Sequence, residues 1–135
     1  MNEVLSTLAG REVDESIIEQ GFIGSSQQNA GCFIKVPTVH SISEGIVIAD
    51  EKDPSDSTRI VTVEVDSQHW IRYCRLCASS KFVGAKTKPG DLIGFSDKGL
   101  MKLEYCTAEK SQFPVRIIRN QLYKQDPTPI IFGGM

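Results

Sequence analysis

The chain has 135 residues, is 40% hydrophobic and 24% charged, and carries a formal net charge of −2. That length makes one domain with room for a hydrophobic core. The balanced, slightly acidic charge excludes a general binder of nucleic acid or of membrane surfaces, and no apolar run approaches the roughly 18 residues of a membrane-spanning helix.

Residues 1–28 are polar and poor in aromatic side chains. They read as an N-terminal arm or linker, either docked on a neighbour or frayed. Residues 1–20 hold no basic stretch leading into an apolar core, so no export signal is expected. Asp14 as N-cap and Gly21 past the last turn predict a short helix over residues 13–21. Gly24-Ser25-Ser26-Gln27-Gln28-Asn29 reads as a loop.

From residue 32 onward the chain reads as strands. Residues 32–36 and 39–42 are short candidates split by Pro37. The apolar run Gly45-Ile46-Val47-Ile48-Ala49 suits a buried strand. A charged, turn-rich segment over residues 50–58 follows. In residues 59–65, Val61, Val63 and Val65 then fall on one face. The two strands predict a hairpin with a long tip. Asp50, Asp53 and Asp56 on that tip invite a calcium reading, but their spacing misses the Asp-x-Asp-x-Asp-Gly loop, and a solvated tip is the plainer account. Residues 70–76, 92–95, 100–106 and 115–118 are further strands. Lys88-Pro89-Gly90-Asp91 marks a tight turn, and Asp126-Pro127-Thr128-Pro129-Ile130 an extended tail. Many short strands and little helix predict an all-β or β-dominated domain, a small antiparallel, sandwich-like sheet. The expected divisions are an arm (1–28), a β-domain (29–126) and a tail (127–135).

Four cysteines are present: Cys32, Cys74, Cys77 and Cys106. Cys74-Arg75-Leu76-Cys77 has the Cys-x-x-Cys spacing of zinc or redox motifs. Residues three apart in a strand point to opposite faces, so packed or surface thiols are the plainer reading. His40 and His69 are the only histidines.

Tyr73-Cys74-Arg75-Leu76, then Gly84…Lys88-Pro89-Gly90-Asp91…Ile93-Gly94, then Leu100-Met101-Lys102-Leu103-Glu104 form an ordered set. The set resembles the lysostaphin-type zinc endopeptidases, which cut peptidoglycan cross-bridges. In that family a Tyr-x-His-Leu strand leads through a Gly-rich turn to a His-x-His-x-Glu strand, and an earlier His-x-Gly-x-Asp-Ile segment supplies the first two zinc ligands. The resemblance covers roughly residues 29–130, including a Val39–Val47 match to a Val-x-Ala-x-x-Asp-Gly-x-Val strand and the Asp-Pro-x-Pro tail. The entry segment matches Asn29-Ala30-Gly31-Cys32-Phe33-Ile34. By this match Asn29, Phe33 and Lys102 stand where the family has zinc ligands, while Arg75 and Leu100 stand where it has catalytic histidines. The resemblance therefore implies the peptidase fold with a degenerate site. A hydrolytic zinc site needs three N or O ligands and an open position, and phenylalanine and lysine do not provide them.

No cofactor, no metal and no enzymatic activity are expected. The resemblance implies a non-catalytic structural or docking module of a multi-protein assembly. A bacteriophage tail or baseplate is the expected assembly, with other virion proteins as partners and neither nucleic acid nor membrane. The expected location is the virion, after synthesis in the host cytoplasm. Arg75 and Lys102 are expected to lie close together on the groove face of the sheet. Two alternatives stay open. Leu100-Met101-Lys102-Leu103 is similar to the Ala-Met-Lys-Met of biotinyl or lipoyl carriers, although Lys102 falls within a strand and not at a hairpin tip. An active peptidoglycan endopeptidase is the other.

Overall fold

The computed structural model describes residues 3–13, 15–20, 32–66, 69–107, 115–118 and 121–124. A seven-residue helix, α1 (Glu3–Ala9), opens the chain. A 3-10 turn at Glu15–Ile17 and a strand β1 (Ile18–Gln20) follow. Next come β2 (Cys32–Lys35), β3 (Thr38–His40), β4 (Gly45–Lys52), β5 (Arg59–Asp66) and β6 (His69–Ser79). Then come β7 (Lys86–Thr87), β8 (Leu92–Ser96), a 3-10 turn at Asp97–Gly99 and β9 (Leu100–Thr107). The last pair is β10 (Val115–Ile118) and β11 (Gln121–Lys124).

The main path of the sheet runs β1-β2-β9-β6-β5-β4-β7, with β8 joined to β6 and β3 to β8, while β10 and β11 form a separate hairpin. Every pairing is antiparallel. This is the β-dominated architecture that the short alternating runs predict. Alternation explains the faces. Val61 and Val63 on β5, Ile71 and Tyr73 on β6, and Met101 and Leu103 on β9 are fully buried in one core. Val65, expected on the same face, packs against that core while only partly buried.

The N-terminal segment departs from expectation. Leu5, Leu8, Ala9 and Val13 lie inside the core, so residues 3–13 are part of the domain and do not stand off as an arm. The spacing 5, 8, 9 is one helical face, but it is too short a pattern to stand out in a polar segment. Gly10 ends the helix in the left-handed conformation, φ 72°, and its N–H reaches the Ser6 carbonyl at 2.9 Å. A Cβ there would collide with the His40 ring. That ring in turn places Nδ1 at 3.2 Å from the Leu8 carbonyl oxygen, so His40 fastens the helix end to β3.

The helix predicted over residues 13–21 is replaced by the 3-10 turn and β1. Adjacent β-branched residues, Ile17 and Ile18, favour strand, and β2 offers an edge on which Ile18 pairs with Ile34. Asp14, Gly21, the loop at 24–29 and the tail from residue 125 lie outside the described residues. The turn at residues 88–91 forms as read, with Gly90 at φ 93° and the Asp91 N–H on the Lys88 carbonyl at 3.0 Å.

Tyr73 is the largest fully buried side chain, and its hydroxyl accepts the Ile42 N–H at 3.0 Å. Burial pushes its phenol up to about 12. Because the folded value lies above the unfolded one, this contribution to stability is complete below the ordinary phenol range near pH 10 and is lost as pH rises towards 12. Alkaline titration followed by ultraviolet difference absorbance should show Tyr73 ionising only together with unfolding. Leu8→Ala should cost about 2–5 kcal/mol in denaturant unfolding, the value for a core leucine. A loss below about 0.5 kcal/mol, as for a surface change, would return α1 to the status of a loose arm.

Candidate functional site: a cation-rich pocket around a buried carboxylate

β6 and β9 pair in a register that sets Arg72 opposite Glu104 and Cys74 opposite Lys102. β2 adds Phe33 opposite Lys102 on the far side of β9. Residues paired across an antiparallel ladder share a face. These five side chains therefore lie together on the face opposite Ile71, Tyr73 and Leu103.

Glu104 is the centre of the group, with only 3% of its surface exposed. One carboxylate oxygen accepts from Arg72 Nη1 at 2.9 Å and the other from Lys102 Nζ at 2.8 Å. Lys102 Nζ also stands 5.7 Å from the centroid of the Phe33 ring, within cation–π range. A lone buried carboxylate would be strongly disfavoured, and two hydrogen-bonded cations offset that cost.

Arg75 reaches the same pocket by a different route. Strict alternation from Cys74 would turn it towards the core. Its φ is 63°, and the β5–β6 register slips between the Arg59–Leu76 and Val61–Tyr73 pairs, which is a β-bulge. Arg75 Nε donates to the Leu100 carbonyl at 3.3 Å. Its guanidinium lies 3.6 Å from Asp56 and 3.9 Å from Asp97, both long ion pairs. A cavity of about 280 Å³ results, walled by Arg72, Cys74, Arg75 and Lys102 and closed by Asp53, Ser55 and Asp56 of the β4–β5 tip.

The expected closeness of Arg75 and Lys102 holds, since both line this cavity with Phe33. Leu100 contributes its carbonyl to Arg75 but does not line the cavity. Asn29 lies outside the described residues. Arg72 and Glu104 are not among the site positions that the motif match gives, and Cys74 enters the sequence reading only through its Cys-x-x-Cys spacing. Period-two alternation along β6 and β9 was the signal that could have found them. Nothing local in the sequence shows that the hairpin tip folds over the pocket.

The tip carboxylates are spent on their own turn. Asp53 accepts from the Ser55 N–H and hydroxyl at 2.9 and 2.8 Å, and Asp56 from the Thr58 N–H and hydroxyl at 3.0 and 2.6 Å. The Thr58 hydroxyl and N–H, with Arg75 nearby, hold the Asp56 carboxyl below its ordinary range. Asp50 sits apart, between Arg59 at 2.9 Å and the Ser79 hydroxyl at 2.6 Å. Cys77 is exposed and Cys74 buried, and they touch different carbonyls, those of Ser96 and Arg72. His69 pairs with Asp66 at 2.7 Å.

This donor set does not suit the zinc that the resemblance attaches to the fold. Both Glu104 oxygens are held by cations. Burial, with the Glu104 charge beside it, pushes the Cys74 thiol well above its ordinary range, so it stays protonated near neutrality. Phe33 has no donor atom, and Arg72, Arg75 and Lys102 repel a dication. Among the described residues no group of three His, Cys, Asp or Glu side chains is placed to hold a metal.

No family model and no curated protein matches the chain. Solved structures do. The chain is similar to lysostaphin in its NMR solution structure, with a TM-score of 0.58 and 17% identity over 70% of this chain and 47% of that one. It is similar to Csd3 of Helicobacter pylori, with a TM-score of 0.61 and 17% identity over 79% of this chain and 33% of that one. It is also similar to the catalytic domain of the prophage-encoded M23 protein EnpA from Enterococcus faecalis, with a TM-score of 0.53 and 18% identity over 70% of this chain and 79% of that one. The chain thus has the β-dominated fold of the lysostaphin-type, or M23, peptidases. It spans about half the length of the lysostaphin structure and a third of the Csd3 structure.

Glu104→Ala would leave two cations facing each other in a half-closed pocket. Equilibrium denaturation should show a loss of about 3–5 kcal/mol, the cost of breaking a buried charge network by removing one partner.

Proposed function

We propose that this chain is a non-catalytic, docking member of the peptidase fold that works as part of a multi-protein assembly. One observation carries the reading. The pocket holding Phe33, Arg75 and Lys102 is filled by an ion-paired cluster, Arg72–Glu104–Lys102, in place of a metal-ligating set. A dication entering there would have to displace two cations from a buried carboxylate, which electrostatics opposes. Arg72, Arg75 and Lys102 instead suit a carboxylate presented by a partner chain, through charge-assisted hydrogen bonds.

The assembly we favour is a bacteriophage tail or baseplate. The fold is shared with a prophage-encoded M23 protein, which supports a viral setting. In such an assembly a retired groove is reused as a binding surface, and function is argued from the site and not from the fold.

Two measurements test this. Elemental analysis of the purified protein should find no stoichiometric zinc, and the protein with added zinc should leave cell-wall suspensions turbid. About one zinc per chain together with clearing of the walls would restore the endopeptidase reading. For the assembly, mass spectrometry of purified virions should find the chain in the tail fraction at a fixed copy number, and its absence from virions would remove the tail assignment.

A further inference from the structure

The ion pairs of the cation pocket are of two kinds. Arg72 and Lys102 meet Glu104 at 2.9 and 2.8 Å. Arg75 stands 3.6 Å from Asp56 and 3.9 Å from Asp97, so it is the least closely matched of the three cations. Its Nε already donates to the Leu100 carbonyl, which leaves Nη1 and Nη2 for a ligand.

The β4–β5 tip decides the charge balance of the lining. Arg72, Arg75 and Lys102 face Asp53, Asp56 and Glu104, three charges of each sign. With the tip seated, an incoming anion meets no net attraction. With Asp53 and Asp56 withdrawn, the walls carry two positive charges in excess, and a half-closed site focuses such a field.

Little holds the tip down. Residues 53–58 lie past the last ladder pair, Lys52–Arg59. The Asp53 N–H donates to the Thr58 carbonyl at 2.7 Å and the Ser57 N–H to the Asp53 carbonyl at 2.9 Å. The Asp53 and Asp56 carboxylates accept from Ser55 and Thr58. All these bonds lie within the turn and move with it. Among the described residues Asp56–Arg75 is the one ion pair from the tip to the pocket wall. Asp56 Oδ1 is fixed on the Thr58 N–H and hydroxyl, and only Oδ2 is left to face Arg75. A carboxylate placed to neutralise Arg75 permanently would close to the 2.8–2.9 Å of the Glu104 pairs. A longer pair, with side chains 28% and 36% exposed, contributes little.

We propose, on the docking reading of this pocket, that the β4–β5 tip is a displaceable plug. Asp56 stands in for a carboxylate of the partner chain. That carboxylate takes its place on the Nη1–Nη2 end of Arg75 as the tip swings out beyond the Lys52–Arg59 pair.

Propionate at constant ionic strength is the probe, and propionamide its uncharged match. Binding is read on the Arg75 Nε–H signal in nuclear magnetic resonance spectra of the full chain. Asp56→Asn removes the charge but keeps an oxygen for Thr58, so the turn is preserved. It should tighten propionate by about two- to fivefold, the reach of a screened ion pair. Asp53→Asn removes an equal charge from the lining without touching the Arg75 contact, and should tighten propionate less. Propionamide should bind neither the native chain nor the variants. The plug is overturned if Asp56→Asn binds propionate no more tightly than the native chain, or if Asp53→Asn gains as much. The docking reading survives either result as long as propionate, and not propionamide, moves the Arg75 signal. It falls, and the plug with it, if propionate leaves that signal unmoved in both the native chain and Asp56→Asn.

Discussion

The Glu104 carboxylate, nearly buried between Arg72 and Lys102, constrains this molecule more than any other contact. A charge in that position is tolerated only with both oxygens satisfied, so the three residues must arrive together. They sit on two strands, and one register brings them into contact: Arg72 opposite Glu104, Cys74 opposite Lys102. A slip of one residue would send Glu104 to the face where Leu103 and Tyr73 are buried. Well-packed hydrophobic residues often give equal stability, but a buried ion cluster penalises the wrong register more heavily. The central β6–β9 ladder is thereby fixed, and β2, β5 and β8 take their places against it.

The same cluster sets the chemistry of the pocket. With Lys102 and Arg72 committed to Glu104, the buried thiol of Cys74 faces a carboxylate and stays protonated. The Arg75 guanidinium, turned in by the bulge, adds a further positive group held only by long contacts to Asp56 and Asp97. The pocket is therefore well suited to an anion and poorly suited to a dication.

The charges of the outer face differ in how they are held. In the cation pocket Arg72, Lys102 and Glu104 hold one another, and Arg75 is held only by long contacts. Along the β7 edge Glu44, Glu64, Lys86 and Lys88 have no such internal partner among the described residues. Hydrated surface charges cost little, so the charges alone imply nothing.

Period-two alternation and turn chemistry settled the local structure. Arg59 to Asp66 could bury Val61 and Val63 only by pairing as a strand, and Lys88-Pro89-Gly90-Asp91 could only turn. The order of the motifs around Tyr73, Gly90 and Glu104 pointed to the peptidase fold for the same reason: each motif holds scaffold residues whose conformation is dictated locally. Tertiary structure alone decided the rest. Leu5 and Leu8 became core because a sheet face needed covering, which no window of seven polar-flanked residues reveals. Ile18 became strand because β2 offered an unpaired edge. Arg75 joined Lys102 through a bulge, and a one-residue irregularity leaves no signature in composition. Glu104 met Arg72, the second of its two cations, across strands distant in the chain. Such meetings depend on register, and register is a property of the folded sheet rather than of any single segment.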